Sequence, residues 1–203
     1  MLKLKTLVSK SEIRNNVIKK RNEFNDEELI QKTKLIVNRF TSTDSYLSAK
    51  TIHTYISTRK GEVDTKKLID KMYSDGKSIV LPKLNKVSNK FQRAYFTGWD
   101  KLIKNRDGYY EPELGFDEDL TDIDIMIVPT VAVSLSGQRV GYGGGFYDKI
   151  LKNFFALKVA LAFEFQVFDN IEADEHDVKV GLIVTERRII NPIKPMDRNS
   201  ELL

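Results

Sequence analysis

The chain of 203 residues contains no cysteine. Disulfides, thiolate zinc sites and a cysteine nucleophile are therefore excluded, and the composition suits a reducing compartment. Histidine is scarce as well: only His53 and His176 occur, and their spacing fits no zinc pattern. No apolar run approaches the roughly 20 residues that cross a bilayer. The opening MLKLKTLVSK lacks the apolar core and small-residue cleavage site of a signal peptide. The expectation is a soluble, cytoplasmic protein with no membrane partner. The length suits a single domain over residues 1–203 with a core that needs no staples.

Charge is abundant and nearly balanced, with 33 Lys and Arg against 29 Asp and Glu, a net +4. So mild an excess suits an anionic ligand without demanding nucleic acid. Its distribution is uneven. Lys3, Lys5, Lys10, Arg14, Lys19, Lys20 and Arg21 face Glu12 alone near the start, and the charges of residues 111–124 are all acidic. Taken by themselves, such runs are solvated faces of opposite sign.

Ser9 and Glu12 have capping-box spacing, which predicts a helix from about Lys10, with Ile13 and Val17 on one face. Lys10 and Arg14, four apart, share another. Asn25 and Glu28 repeat the cap signal before a second helix carrying Leu29, Ile36, Val37 and Phe40. Residues 41–48 read as a loop. Residues 51–57 read as a strand, Asp64 caps a helix stopped by Gly76, residues 78–81 form a strand ended by Pro82, and residues 91–96 a weaker strand. Residues 97–121 show no period, and whether their Trp99, Tyr109 and Tyr110 line a pocket stays open. A loop of that length in a compact domain is usually functional or mobile. Residues 123–128 and 159–163 read as strands buried on both faces, residues 146–154 as a helix and residues 180–184 as a last strand. Strands alternating with helices give an α/β class with a mainly parallel sheet flanked by helices.

The densest signal is GQRVGYGGGFYD at residues 137–148, with four glycines among residues 141–145 beside Arg139. It follows a buried strand and opens a helix, where α/β sheets bind ligands. Bare backbone there can approach phosphate closely, and a helix N-terminus adds positive charge. It is neither common glycine fingerprint. Phe146 occupies the third glycine position of the dinucleotide pattern, and no Gly-x-x-x-x-Gly-Lys-Ser/Thr is present. Asp148 is either a helix-capping acid or a hard oxygen ligand for Mg²⁺ beside phosphate. Asp177, Glu62, Phe146 and Tyr147 read, on their own, as a turn acid, a loop acid and two core aromatics. His53 reads as a structural strand residue.

Several segments together resemble the 5-formyltetrahydrofolate cyclo-ligase family. They are KSEIR (10–14), GEVDT (61–65), IVLP (79–82), IVP (127–129), the glycine loop with FYD (146–148), AF (162–163), EHD (175–177) and VTE (184–186). The resemblance implies a fold like the ribose-phosphate isomerase and CoA-transferase group. It implies that 5-formyltetrahydrofolate and ATP give 5,10-methenyltetrahydrofolate, ADP and phosphate. By that likeness Lys10 and Arg14 hold ATP phosphates. Arg139, Gly141, Tyr142, Gly143, Gly144, Gly145, Phe146 and Tyr147 wrap the triphosphate, Arg139 and Tyr147 being the catalytic candidates. Tyr142 to Phe146 also face the folate, Ile56 and Glu62 contact its pterin part, and Asp148 and Asp177 hold Mg²⁺. A monomer without a nucleic-acid partner is expected.

The chain departs from the family at Val133-Ser134, where Phe-Asp is usual, and at Phe146, where a tyrosine is usual. Its loop has Gly144 where a lysine is frequent, which leaves phosphate charge to Arg139, Lys10, Arg14 and the metal. Residues 83–119 match poorly. The competing readings are a sugar-phosphate isomerase or acyl-CoA-type transferase needing neither ATP nor metal, and a nucleic-acid module using the basic first helix.

Overall fold

The computed structural model describes residues 8–85, 90–104, 109–115 and 119–192. Lys3 and Lys5 lie outside the described residues, as does the side chain of Phe146.

Among the described residues, three helices precede the sheet. Helix α1 spans Lys10–Arg21, and Ser9 Oγ accepts the Glu12 N–H at 3.2 Å as its cap. Helix α2 spans Asp26–Thr41 and is capped by Asn25. The expected loop at residues 41–48 instead contains a one-turn helix, α3 (Asp44–Ser48). Thr43 caps it, and Tyr46 is buried edge-on against Phe40. The short polar side chains that suggested a loop are here the cap and the solvent face.

Strand β1 (Thr51–His53) is followed by α4 (Thr65–Ser74), β2 (Ser78–Asn85), β3 (Lys90–Tyr95), β4 (Leu102–Lys104), β5 (Tyr110–Pro112) and β6 (Ile125–Ile127). Then come β7 (Ala132–Ser134), β8 (Arg139–Val140), α5 (Phe146–Leu151), β9 (Leu157–Leu161), β10 (Val167–Phe168), β11 (Leu182–Val184) and β12 (Ile189–Ile190). The main sheet has the order β12-β11-β9-β6-β1-β2-β3. Its five inner strands are parallel, and β3 and β12 are antiparallel edges. The α/β class with a mainly parallel sheet is thus present. A small sheet, β10-β7-β8, and the β4-β5 hairpin stand beside it.

Several expected boundaries move. The strand at 51–57 stops at His53, because the following backbone turns off to form the rim of a cavity. Pro82 does not end β2. The Phe96 N–H bonds the Ile79 carbonyl, so odd residues of β2 face β3 and even ones face β1. Pairing with β1 stops at Val80, so the ring at Pro82 forfeits no ladder bond. The β4-β5 pair gives order to the unperiodic stretch, and β7 and β8 occupy residues read only as connection.

Each face of the sheet packs its own core. Ile52, Ile79, Ile125, Ile127, Val159 and Leu161 meet Ile36, Phe40, Leu68 and Met72 of α2 and α4. Val80, Met126, Val128, Ala160 and Ile183 meet Ile150, Leu151 and Phe154 in and after α5. Alternation between Ile125/Ile127 and Met126/Val128 explains the continuous apolar run: both faces are covered. Burying each large aliphatic side chain contributes about 1.5–3 kcal/mol. A third cluster seats Ile13 and Val17 of α1 on Ala132 and Val140 of the small sheet and on Val131 just before it.

Candidate active site

From β1 the chain runs to β2 and β3 on one side, then crosses to β6, β9 and β11 on the other. The order reverses between β1 and β6, and parallel sheets open a crevice at the carboxyl ends of such strands. Two adjoining cavities occupy that position. Both are lined by Pro129, just past β6, and by Tyr142 of the glycine loop.

The first cavity, about 400 Å³, is lined by Lys10, Arg14, Arg139, the loop from Gly141 to Gly145, Tyr147, Asp148, Asp174 and Asp177. Gly143 has φ 100° and Gly145 φ 62°, conformations that suit glycine. A Cβ on Gly144 or Gly145 would meet nothing within 4 Å, so the backbone faces open space. Helix α5 has only 6 residues, so little macrodipole is available. Attraction for an anion must come from side chains. Arg14 Nε donates to the Gly141 carbonyl at 2.7 Å, and its guanidinium lies beside Gly143. Arg139, in β8, is 5 % exposed and donates to Asp148 Oδ1 at 2.5 Å. Burial lowers its pKa, while Asp148 and Asp177 oppose that shift.

Lys10 Nζ donates to Asp174 Oδ2 at 2.6 Å and to Asp177. Burial alone would lower the lysine's pKa, but hydrogen bonds and charge from Asp174 and Asp177 outweigh it and raise it. The segment after β10 therefore does fold over the sheet end, and Asp177 reaches the cavity. Asp148 and Asp177 line one space. Among the described residues no group of three His, Cys, Asp or Glu could hold a metal by itself. Mg²⁺ needs only one or two carboxylates when phosphate oxygens and waters complete its shell, so this donor set fits a metal that arrives with a nucleotide.

The second cavity, about 320 Å³, is lined by Tyr55, Ile56, Thr58, Arg59, Glu62, Leu81, Pro82, Tyr109, Tyr110 and Glu111 besides the shared pair. Glu62 is buried, and its Oε2 accepts the Thr58 and Arg59 N–H groups, each at 3.0 Å. Tyr142 Oη donates to Glu62 Oε1 and accepts from Arg21 Nη1 at 2.8 Å. The Arg59 guanidinium covers the Tyr142 ring at 4.2 Å. Burial and then Glu62 push the Tyr142 phenol up, so it stays neutral. Burial does the same for Tyr147, against Arg139.

A 5-formyltetrahydrofolate cyclo-ligase family model matches residues 6–186, nearly all of this arrangement. The chain belongs to the 5-formyltetrahydrofolate cyclo-ligase family. As such it is a ligase. It is 33 % identical over 135 residues to the 5-formyltetrahydrofolate cyclo-ligase of Escherichia coli (strain K12), covering 64 % of this chain and 74 % of that one. Its identity to the Haemophilus influenzae cyclo-ligase is 34 % over 136 residues, 64 % of this chain and 72 % of that one. The solved 5,10-methenyltetrahydrofolate synthetase of Aquifex aeolicus matches with a TM-score of 0.81 at 30 % identity, over 96 % of this chain and 99 % of that one.

In this cyclo-ligase chain, Lys10, Arg14, Arg139, Gly141 to Gly145, Tyr147, Asp148 and Asp177 fall in the first cavity, and Ile56 and Glu62 in the second, with Tyr142 between. Of Phe146 only the backbone, opening α5, is described. Tyr109 and Tyr110 line the second cavity, whereas Trp99 packs on Phe96 and donates to Asp70 at 2.7 Å. Sequence reasoning missed Arg21, Arg59, Tyr55, Pro129 and Asp174. One signal was available: Ile13, Val17 and Arg21 recur every four residues, so an arginine occupies the buried stripe of α1. The basic first helix is not one solvated face, since Lys10 and Arg21 turn inward. No helix among the described residues is long and apolar enough to cross a membrane.

Proposed function

We propose that this chain converts 5-formyltetrahydrofolate and ATP to 5,10-methenyltetrahydrofolate, ADP and phosphate. The observation that carries it is the meeting of two unlike cavities at Pro129 and Tyr142. One offers bare backbone, three cations and three carboxylates. The other offers aromatic walls and the buried Glu62.

On this reading the triphosphate lies along residues 141–147, with Lys10, Arg14 and Arg139 on its oxygens. Asp148 and Asp177 hold Mg²⁺, which supplies charge neutralisation on the phosphates when bound. Ile56, Glu62 and the neighbouring aromatics orient the pterin part, Glu62 accepting its N–H donors. The shared wall brings the γ-phosphate to the formyl oxygen. That oxygen is nucleophilic because the N5 lone pair delocalises onto it. It attacks phosphorus and ADP leaves. The O-phosphorylated carbon is then attacked by N10, its C–O bond breaks, and phosphate departs with the N10 proton. The protein's part is alignment and charge neutralisation by Arg139 and the loop through Tyr147, without a protein base. The sheet, on the same reading, is of the ribose-phosphate isomerase and CoA-transferase type, in one domain of a cytoplasmic monomer.

The test is the absorbance of the methenyl product on mixing protein with 5-formyltetrahydrofolate, with and without Mg·ATP. Product growth that requires ATP, with one phosphate released per methenyl formed, is expected. Turnover without ATP would favour the isomerase or transferase reading, and no turnover would refute this one.

A further inference from the structure

Lys10, Arg14, Val17 and Arg21 are spaced four, three and four residues apart, so they form one stripe of α1. The stripe is about 16 Å long at 1.5 Å per residue. Its first end lies in the nucleotide cavity, where Lys10 meets Asp177 and Arg14 holds the Gly141 carbonyl. Its other end, Arg21, is 2 % exposed. There Nε donates to the Gly61 carbonyl at 2.8 Å, Nη1 to the Tyr142 hydroxyl at 2.8 Å, and Nη2 lies 3.7 Å from Glu62 Oε1. Gly61 is pressed so close that a Cβ there would come 2.3 Å from the Arg21 carbonyl oxygen.

A desolvated arginine is a costly way to seat a helix, and an apolar residue of similar size would do so at lower cost. What an apolar residue cannot do is span three targets. The guanidinium fork ties the loop at Gly61 and Glu62, in the second cavity, to Tyr142, the side chain both cavities share. The same helix grips the glycine loop seven residues earlier through Arg14. Displacing Tyr142 in either cavity therefore changes the other through one rigid element.

We propose that Arg21 is a positioning residue that couples the two substrates: occupation of the nucleotide cavity tightens folate binding, and the reverse. The inference rests on the functional reading above. Coupling of this kind is reciprocal, so both substrates must feel the same factor.

The experiment is calorimetric binding of 5-formyltetrahydrofolate and of an ATP analogue with a non-transferable γ-phosphate, in Mg²⁺ buffer, each alone and with the other saturating. In the unmodified protein each ligand should bind about fivefold or more tightly when the other is present. In Arg21→Lys, which keeps the charge but not the fork, each ligand should still bind alone while the factor falls toward one. If Arg21 only supports the fold, the variant lowers Tm and leaves the factor intact, which overturns the proposal. Independent binding in the unmodified protein overturns it as well. Should Arg21→Lys not fold, Tyr142→Phe removes the hydroxyl that Arg21 bonds, and an undiminished factor there is equally contrary. If neither ligand binds the unmodified protein, the functional reading falls with it.

Discussion

The Arg139 guanidinium lies 2.5 Å from Asp148 Oδ1, so two charges framing the glycine loop neutralise each other. Lys10 is held likewise by Asp174 and Asp177. In the proposed reaction phosphate oxygens would take Arg139 and Lys10, and Asp148 and Asp177 would be the residues that hold Mg²⁺ and its neutralising charge. Such an exchange would keep the desolvated Arg139 partnered before and after binding, as a buried charge requires.

Asp148→Asn should weaken use of Mg·ATP by about tenfold or more, since one hard ligand loses its charge while an acceptor remains for Arg139. Initial rates across a Mg²⁺ titration check this. A half-saturating Mg²⁺ concentration equal to that of the unmodified protein would remove Asp148 from the site.

Arg139→Ala should raise KM for ATP by roughly 10- to 100-fold, the scale of a lost charge-assisted hydrogen bond. Lys149→Ala, which removes an equal charge from an exposed position on α5, is the comparison. Similar effects of the two would mean that Arg139 acts only through net charge or packing.

Two glycines in the left-handed region should respond unequally to alanine. Gly76 has φ 71° and open space around its Cβ position, so Gly76→Ala costs only the backbone penalty, about 1–2 kcal/mol. Gly61 has φ 68° and a Cβ position 2.3 Å from the Arg21 carbonyl, so the clash adds to that penalty. Chemical denaturation midpoints should rank Gly61→Ala well below Gly76→Ala. Equal midpoints would show that α1 can move away from the loop.

His53 is wholly buried in β1, and burial lowers its pKa from 6.5 to about 3. Between those values the unfolded chain binds a proton that the folded chain does not. This group's contribution is therefore full above pH 6.5 and is lost as pH falls toward 3. The slope approaches about 1.4 kcal/mol per pH unit. Urea midpoints at pH 8, 7, 6 and 5 check it, about a unit or more above ordinary carboxylate titration. The His53→Met variant should show a flatter profile, and an unchanged slope would contradict the assignment.

The parts of the fold carried by periodic apolar residues were legible in the sequence. Residues 123–128 read as a doubly buried strand, and β6 lies there with Ile125 and Met126 facing opposite cores. The caps at Ser9, Asn25 and Asp64 were legible because each directly precedes a periodic apolar stripe, the first two with a glutamate three residues on. Strands β7 and β8 were not, because Ala132–Ser134 and Arg139–Val140 are too short to show alternation. The glycine loop announced one cavity by itself. The second is built from the segment after β1, β2, β5 and the loop at Glu62, segments far apart in the chain that only the strand order brings together. Arg21 was hidden for the opposite reason: in a basic stretch a buried arginine looks like one more solvated charge.

The proposed reaction depends on the first cavity receiving a nucleotide's phosphates, and titration of Mg·ATP into the protein without folate tests this most directly. One equivalent should bind per chain with measurable heat, and affinity should fall in Arg139→Ala and Asp148→Asn but not in Lys149→Ala. An absence of binding, or binding indifferent to Arg139 and Asp148, would contradict it.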